Sequence, residues 1–407
     1  MLKRTLTKHL ANITKHFPVL FLTGPRQVGK STLLENYCTK KYNKVSLDNL
    51  DEREKAQQDP ALFLLDHEPP LFIDEVQYAP QLFPYIKIYV DTHKNKNGLF
   101  LLTGSQKFSM IKEIQESLAG RVAIIDMLGF SNREIQKNPD YSPLLPTETY
   151  LKKIRSAKLK SLSNLQLFTK IWLGSFPSLV NNKGKERELY YSSYIRTYIE
   201  RDIKNLFRIE DTITFHNFIK AAAARTGQLL NYTDLAKDLA IDVKTAKNWL
   251  SILELCGLIY LLPPYYNNVT KRIIKTPKLY FLDTGLCAYL TGWDNPKSLE
   301  AGAMNGAVLE TYVFTEILKS YWHNAKEPNI YFYRDKDGKE IDFLLETNNT
   351  LYPIEVKKTM LPNKTMVKNF AVLKNLEKAL GNGIILSLKP EVSYITETTL
   401  SLPIWAL

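Results

Sequence analysis

The stretch PVLFLTGPRQVGKST, Pro18 to Thr32, decides the fold. Val19 to Leu22 is an unbroken apolar run without helical period, set between Pro18 and Gly24, and such a run suits a strand buried on both faces of a sheet. The chain then fits G-x-x-x-x-G-K-[ST] at Gly24, Gly29, Lys30 and Ser31. The two glycines permit a tight turn, so that loop N–H groups face phosphate oxygens while the next helix adds its positive N-terminal end. Lys30 is expected to reach the β and γ phosphates and the Ser31 hydroxyl to ligate Mg²⁺. The whole cradle, Gly24, Pro25, Arg26, Gln27, Val28, Gly29, Lys30, Ser31 and Thr32, is read as a nucleotide site.

The chain has 407 residues, 44% of them hydrophobic and 24% charged, which leaves room for two to four domains with sizeable cores. A formal charge of +12 favours polyanionic partners, nucleic acid first, although a lysine-rich proteome would give the same excess. Cys38, Cys256 and Cys287 stand far apart, so neither a disulfide framework nor a thiolate zinc site is expected, and a reducing cytoplasm fits. The N-terminus spaces Leu2, Leu6, Leu10 and Ile13 helically among basic residues without a signal-peptide core. No run is apolar enough to span a bilayer, and no membrane partner is expected.

Residues 1–135 read as the nucleotide-binding domain. A helix over Thr32 to Lys40 and a strand over Lys44 to Leu47 follow the loop, and LFIDEVQ then brings an apolar strand that ends in Asp74 and Glu75. Asp74 is placed to hold the Mg²⁺ shell and Glu75 to polarise the attacking water as general base. The strand from Gly98 to Thr103 leads into Ser105 and Gln106, of which Ser105 is the first candidate to contact the γ-phosphate or orient the water. Arg121, in ESLAGR, is either a charge stabiliser acting within the subunit or on a neighbour, or a plain helix-end arginine beside Gly120.

Together PRQVGKST, LFIDEVQ, LLTGSQ and SLAGR resemble a widespread prokaryotic family of AAA-type ATPases fused to a C-terminal region of uncharacterised function. The resemblance implies ATP as the nucleotide and the additional-strand P-loop class, with a parallel sheet in order 5-1-4-3-2 that sets the Ser105 strand between the P-loop and Asp74 strands. No N-K-x-D signal of GTP-binding proteins accompanies it.

Residues 136–210 read as a helical connector: a Pro-rich exit, a short helix over Leu165 to Trp172, the segment GSFPSLV, which resembles a signature of that family, and a long helix from Glu186 to Phe207. Tyr191, Tyr194, Ile195, Tyr198, Ile199, Ile203 and Leu206 repeat at three-to-four spacing along it, as for a core face with basic residues behind. Residues 211–295 read as a winged helix-turn-helix, with Asn231 and Asp242 as N-caps and a Tyr-Asn wing. Lys244, Lys247, Asn248, Lys271, Arg272 and Lys275 then offer phosphate contacts, unless the unit serves protein contacts or as an ATPase lid.

Residues 296–407 carry the second constellation. A helix over Asn305 to Leu318 bears Glu310, a hairpin turns at Asp337-Gly338, and Glu355 and Lys357 share a strand face beside Asp342. Two carboxylates converging with a lysine can hold Mg²⁺ and orient a water for phosphodiester attack. The arrangement is similar to the PD-(D/E)xK nucleases, with Ile341 in place of the Pro, and the resemblance gives Glu310 the helical acid position.

The expected fold is α/β: a P-loop ATPase, a winged helix-turn-helix, and a small mixed α/β restriction-endonuclease-like domain. The expected function is a Mg²⁺-dependent ATPase that binds DNA and carries a nuclease-like site. The alternative is an ATP-dependent switch whose C-terminal modules bind a partner protein or a second copy of the chain, the nuclease-like domain being inactive.

Overall fold

The computed structural model describes residues 2–38, 41–104, 114, 116–157, 160–203, 209, 211–266 and 275–407, with the side chains at 200–202 left aside. Strand β1 (Val19–Thr23) is buried at every position, as its apolar run requires. It pairs in parallel with β4 (Phe100–Gly104) and β5 (Val122–Asp126), while β3 (Leu71–Asp74) pairs in parallel with β4 and with β2 (Asn43–Ser46). The order β2-β3-β4-β1-β5 is the expected 5-1-4-3-2 read from the other edge. Because all neighbours run parallel, every strand delivers its C-terminal end to one rim, where the loop after β1 and the acids after β3 meet.

Side chains alternate across this sheet. Phe21, Ile73 and Leu102 pack with Phe83 and Ile86 on one face. Leu20, Leu22 and Leu101 pack with Leu33 and Leu34 on the other, in a cluster that runs on through Tyr194 and Tyr198 to Ile219 and Leu253. The tyrosine-bearing segment starts as an α-helix, Arg187–Tyr194, and changes to π winding over Ile195–Ile203. Its stripe from Tyr191 to Ile203 is buried, so it is a core face, and Leu206 lies outside the described residues.

The middle unit runs helix Thr212–Ala223, β6 (Gln228–Leu229), helices Tyr232–Asp238 and Val243–Leu255, then β7 (Ile259–Leu262) and β8 (Lys278–Phe281). The strands form an antiparallel sheet in the order β6-β8-β7. Asn231 accepts from the N–H groups of Thr233 and Asp234, and Asp242 from that of Thr245 at 2.8 Å, so both caps form where the sequence predicts them. Lys271 and Arg272 lie outside the described residues.

The C-terminal unit sets helix Asn305–Trp322 against a mixed sheet of β9 (Ile330–Arg334), β10 (Glu340–Thr347), β11 (Thr350–Val356), β12 (Ala379–Leu380), β13 (Gly383–Ser387), β14 (Ser393–Thr396) and β15 (Thr399–Pro403). The order is β14-β15-β13-β11-β10-β9, with β12 beside β11. The units are not strung loosely. After β7 the chain bonds to β9, Tyr265 N–H donating to the Phe332 carbonyl at 2.6 Å. Buried Glu134 accepts from the Thr5 N–H at 2.7 Å and faces Arg4 at 3.5 Å and His323 at 3.4 Å, which ties the segment after β5 to helix Asn305–Trp322. Among the described residues no helix is long and apolar enough to cross a membrane.

Candidate functional site

The loop from Gly24 to Gly29 leaves β1 and enters helix Lys30–Tyr37. Gly24 has φ +136°, and a Cβ there would lie 2.1 Å from the Met127 carbonyl oxygen, so only glycine fits. Gly29, at φ +91°, is left-handed and turns the chain into the helix. Lys30 is 5% exposed, and its Nζ donates to the carbonyls of Gly24 at 2.9 Å and Pro25 at 2.8 Å. Burial pushes its pKa down to about 8, against the pull of Glu75 and Asp74. The ammonium therefore sits inside its own loop, satisfied by carbonyls that a polyphosphate would replace.

Ser31 Oγ donates to Asp74 Oδ1 at 2.7 Å, which closes the gap between the loop and β3. Thr103 Oγ1, from β4, donates to the same carboxylate oxygen and accepts from the Glu75 N–H at 3.3 Å. Glu75 itself is left-handed, at φ +55°, and its carboxylate accepts from the Gln77 side-chain amide. A hydroxyl and a carboxylate already sharing one proton are a fitting donor pair for Mg²⁺. Ser105 and Gln106 lie outside the described residues, so the β4 contribution observed is that of Thr103.

Arg121 is not brought to this rim. Its guanidinium grips Asp91 through Nε at 2.6 Å and Nη2 at 3.0 Å, and its carbonyl accepts from Val19 N–H at the start of β1. The loop leaves the other end of β1, roughly 15 Å of strand away at 3.3 Å per residue. Arg121 therefore does not serve the phosphate site of its own subunit.

Two further segments touch the loop. Pro177 Cγ lies 3.8 Å from where a Gly29 Cβ would be, and Pro25 lies 3.0 Å from the Cβ position of Gly257, which ends helix Val243–Leu255 at φ +69°. The Arg26 guanidinium stacks over Tyr198 at 5.4 Å, within the π-wound segment. The phosphate loop is thus packed against the connector and the middle unit at once.

The second constellation lies on β10 and β11. Asp342 Oδ2 accepts from the Val356 N–H at 2.8 Å, and Lys357 Nζ donates to Glu355 Oε1 at 2.6 Å and stands 4.0 Å from Asp342. The β9–β10 register shifts between Ile341 and Leu344, next to Asp342, and an irregularity of this kind re-aims a side chain. Glu310 is reached by Lys278 Nζ at 3.0 Å and Tyr280 OH at 2.5 Å, both from β8. Burial, then the neighbouring Asp342 charge, raises Glu310 to about 7 and Glu355 to about 8. Burial likewise raises Asp342. Burial alone would lower Lys278, but Glu310, Asp342 and Glu340 hold it above the ordinary lysine value. Among the described residues no group of three or more His, Cys, Asp or Glu is set to hold a metal ion.

Residues 16–136 match the AAA domain family. The chain carries an AAA P-loop domain. Residues 164–297 match the family described as Domain of unknown function (DUF8612), and residues 305–407 that described as Domain of unknown function (DUF4143). An uncharacterized protein of Mycobacterium tuberculosis is 27% identical over 364 residues, 89% of this chain and 75% of that protein. An uncharacterized protein of Methanocaldococcus jannaschii is 24% identical over 328 residues, 69% of this chain and 64% of that protein. Among solved structures, the Walker-type ATPase of Pyrococcus abyssi aligns with 70% of this chain and 94% of its own, at 16% identity and a TM-score of 0.43.

Within the AAA domain the residues read from sequence at the loop and at β3 meet, and the fourth strand contributes a residue that reading overlooked. Thr103 is the last polar side chain before Gly104 on an otherwise apolar strand, which is the signal that could have found it. Outside the AAA domain, Lys278 and Tyr280 went unread. A lysine opening the apolar run KLYF was the available clue.

Proposed function

We propose that the chain is a Mg²⁺-dependent ATPase whose AAA domain drives a DNA-binding, nuclease-like C-terminal half. The observation that carries the ATPase reading is the Ser31–Asp74–Thr103 junction beneath Lys30, 2.7 Å at its Ser31 bond. Ser31 and Asp74 are the residues that would hold Mg²⁺, which supplies charge neutralisation for the β and γ phosphates. Lys30 leaves the carbonyls of Gly24 and Pro25 and binds phosphate oxygens in their place. Glu75 takes a proton from the attacking water at its carboxylate, while the Gln77 amide holds that carboxylate in orientation. Phosphate release with Mg²⁺ that is lost in Lys30→Ala and Glu75→Gln supports this reading, and its persistence in both overturns it.

DNA contact is supported by the order helix, strand, helix, helix, strand, strand in the middle unit, which suits a winged helix. Lys244, Lys247 and Asn248 are exposed on its third helix and Lys275 is exposed before β8, in a chain of net charge +12. Removing Lys244 and Lys247 should weaken binding to duplexes of any sequence and lower the salt slope by about 1 per lysine. Absence of any DNA retention at low salt defeats it.

The nuclease-like reading is supported by Lys357 and Asp342 converging with Glu355, with Glu310 on the helix behind. The alternative, a switch with an inactive nuclease-like unit, is favoured by one observation: a lysine, Lys278, already sits against Glu310. DNA left intact with Mg²⁺ or Mn²⁺ would select it.

A further inference from the structure

Lys278 opens β8 opposite Leu262 on one neighbouring strand and Leu229 on the other, and its side chain is 3% exposed. A lysine at the edge of an apolar strand ordinarily runs its methylenes along the core and ends in water. Here Nζ ends between Glu310 Oε1 at 3.0 Å and Glu340 Oε1 at 2.5 Å, with the Phe332 ring 5.6 Å away. Tyr280, two residues along the same strand, donates to Glu310 at 2.5 Å. The middle unit thus lends a cation and a hydroxyl to a site whose acids all belong to the C-terminal unit.

Charge explains why the lysine stays. Burying an ammonium without partners costs several kcal/mol, and the same holds for a carboxylate, so each group keeps the other in place. Glu310, Glu340, Asp342 and Glu355 face Lys278, Lys357 and, at Glu340, Arg334, four acids to three cations, and a divalent ion would neutralise the acids on Glu310, Asp342 and Glu355 more fully than one ammonium. A second observation points to a ligand. Glu355 is 6% exposed, and while its Oε1 is taken by Lys357, its Oε2 is buried with no hydrogen-bond partner. A buried carboxyl oxygen left without a partner calls for an explanation, and a bound ion is one that fits the acids around it.

We propose that Lys278 is a resident cation that closes the Glu310, Asp342 and Glu355 site to divalent metal, and that the site takes a metal ion only when β8 withdraws this lysine. The inference rests on the nuclease-like reading and adds a gate to it: the middle unit controls whether the C-terminal site is loaded. That unit also touches the phosphate loop where Gly257 meets Pro25, so movement at the loop has a packed route toward β8.

The test is Mn²⁺ binding to the full, nucleotide-free chain, counted by electron paramagnetic resonance and assigned with Glu355→Gln. The parent should show no Glu355-dependent Mn²⁺. Lys278→Met should gain one such ion, at an Mn²⁺ concentration about tenfold or more below any parental binding, and Lys278→Met with Glu355→Gln should lose it. Glu340→Gln, which frees the lysine from one tether and leaves the core intact, should shift binding in the same direction and serves if Lys278→Met fails to fold by circular dichroism. A parent that binds Glu355-dependent Mn²⁺ as tightly as both variants overturns the gate and leaves the nuclease-like site standing. Folded variants that gain no Glu355-dependent ion show that the acids are not a metal site, and the nuclease-like reading then falls together with the gate.

Discussion

Raising the pH should weaken ATP binding through Lys30 alone. In the free chain this buried ammonium has its pKa lowered to about 8, because desolvation outweighs the attraction of Glu75 and Asp74. A bound triphosphate needs the charged form, so binding above pH 8 must take up a proton. At pH 9.5 the lysine would be about 1.5 units above its pKa, and at 1.36 kcal/mol per unit the cost is about 2 kcal/mol, or roughly 30-fold in affinity relative to pH 7. The sign for stability follows from the same depressed value. Between about 8 and the unfolded 10.5 the unfolded chain keeps the proton that the folded one has lost, so the nucleotide-free fold gains stability as pH rises through that window. Calorimetric titration with ATP and Mg²⁺ in two buffers of different ionisation heat measures the uptake directly. Uptake near one proton per ATP at pH 9, absent in Lys30→Arg, is expected. Affinity that stays flat from pH 7 to 9.5, or that falls equally in Lys30→Arg, refutes the reasoning.

Three other outcomes follow from contacts already described. Thr103→Val removes the hydroxyl that holds Asp74 and receives the Glu75 N–H, and should lower turnover by about 10- to 100-fold with nucleotide affinity little changed, as read from kcat against a fluorescent-nucleotide titration. Gly257→Val forces a branched side chain into a left-handed position 3.0 Å from Pro25, so it should cost about 1–3 kcal/mol in denaturant unfolding and raise KM for ATP by moving the loop. Glu134→Ala strips the partner from buried Arg4 and should destabilise the chain by about 3–5 kcal/mol, seen as a lowered Tm.

The AAA domain was legible because its signals are local. An apolar run, a glycine-bounded loop and an acid pair each declare themselves within a few residues, and the strand order came with the family resemblance. Thr103 was passed over in favour of Ser105 because strand ends are the least certain part of a sequence reading. For Arg121 the residues left a charge stabiliser and a helix-end arginine both open. Its placement depends on where β5 begins relative to the loop, and its partner Asp91 comes from another helix, Leu82–Thr92. The caps at Asn231 and Asp242 were readable from the residues alone, since a side chain that bonds the backbone two or three residues on needs no tertiary partner. Lys278 stood out as a lysine opening an apolar run, but its partners were not readable, because its role arises only when a strand of the middle unit is packed against acids more than thirty residues further along the chain.

Steady-state phosphate release by the full chain with ATP and Mg²⁺ tests the central claim most directly. The account predicts turnover in the parent, and in Glu75→Gln a loss of at least about 100-fold with ATP still bound, since the loop and Lys30 are untouched. A parent that releases no phosphate above the buffer rate, or a Glu75→Gln chain that hydrolyses ATP as fast as the parent, contradicts it.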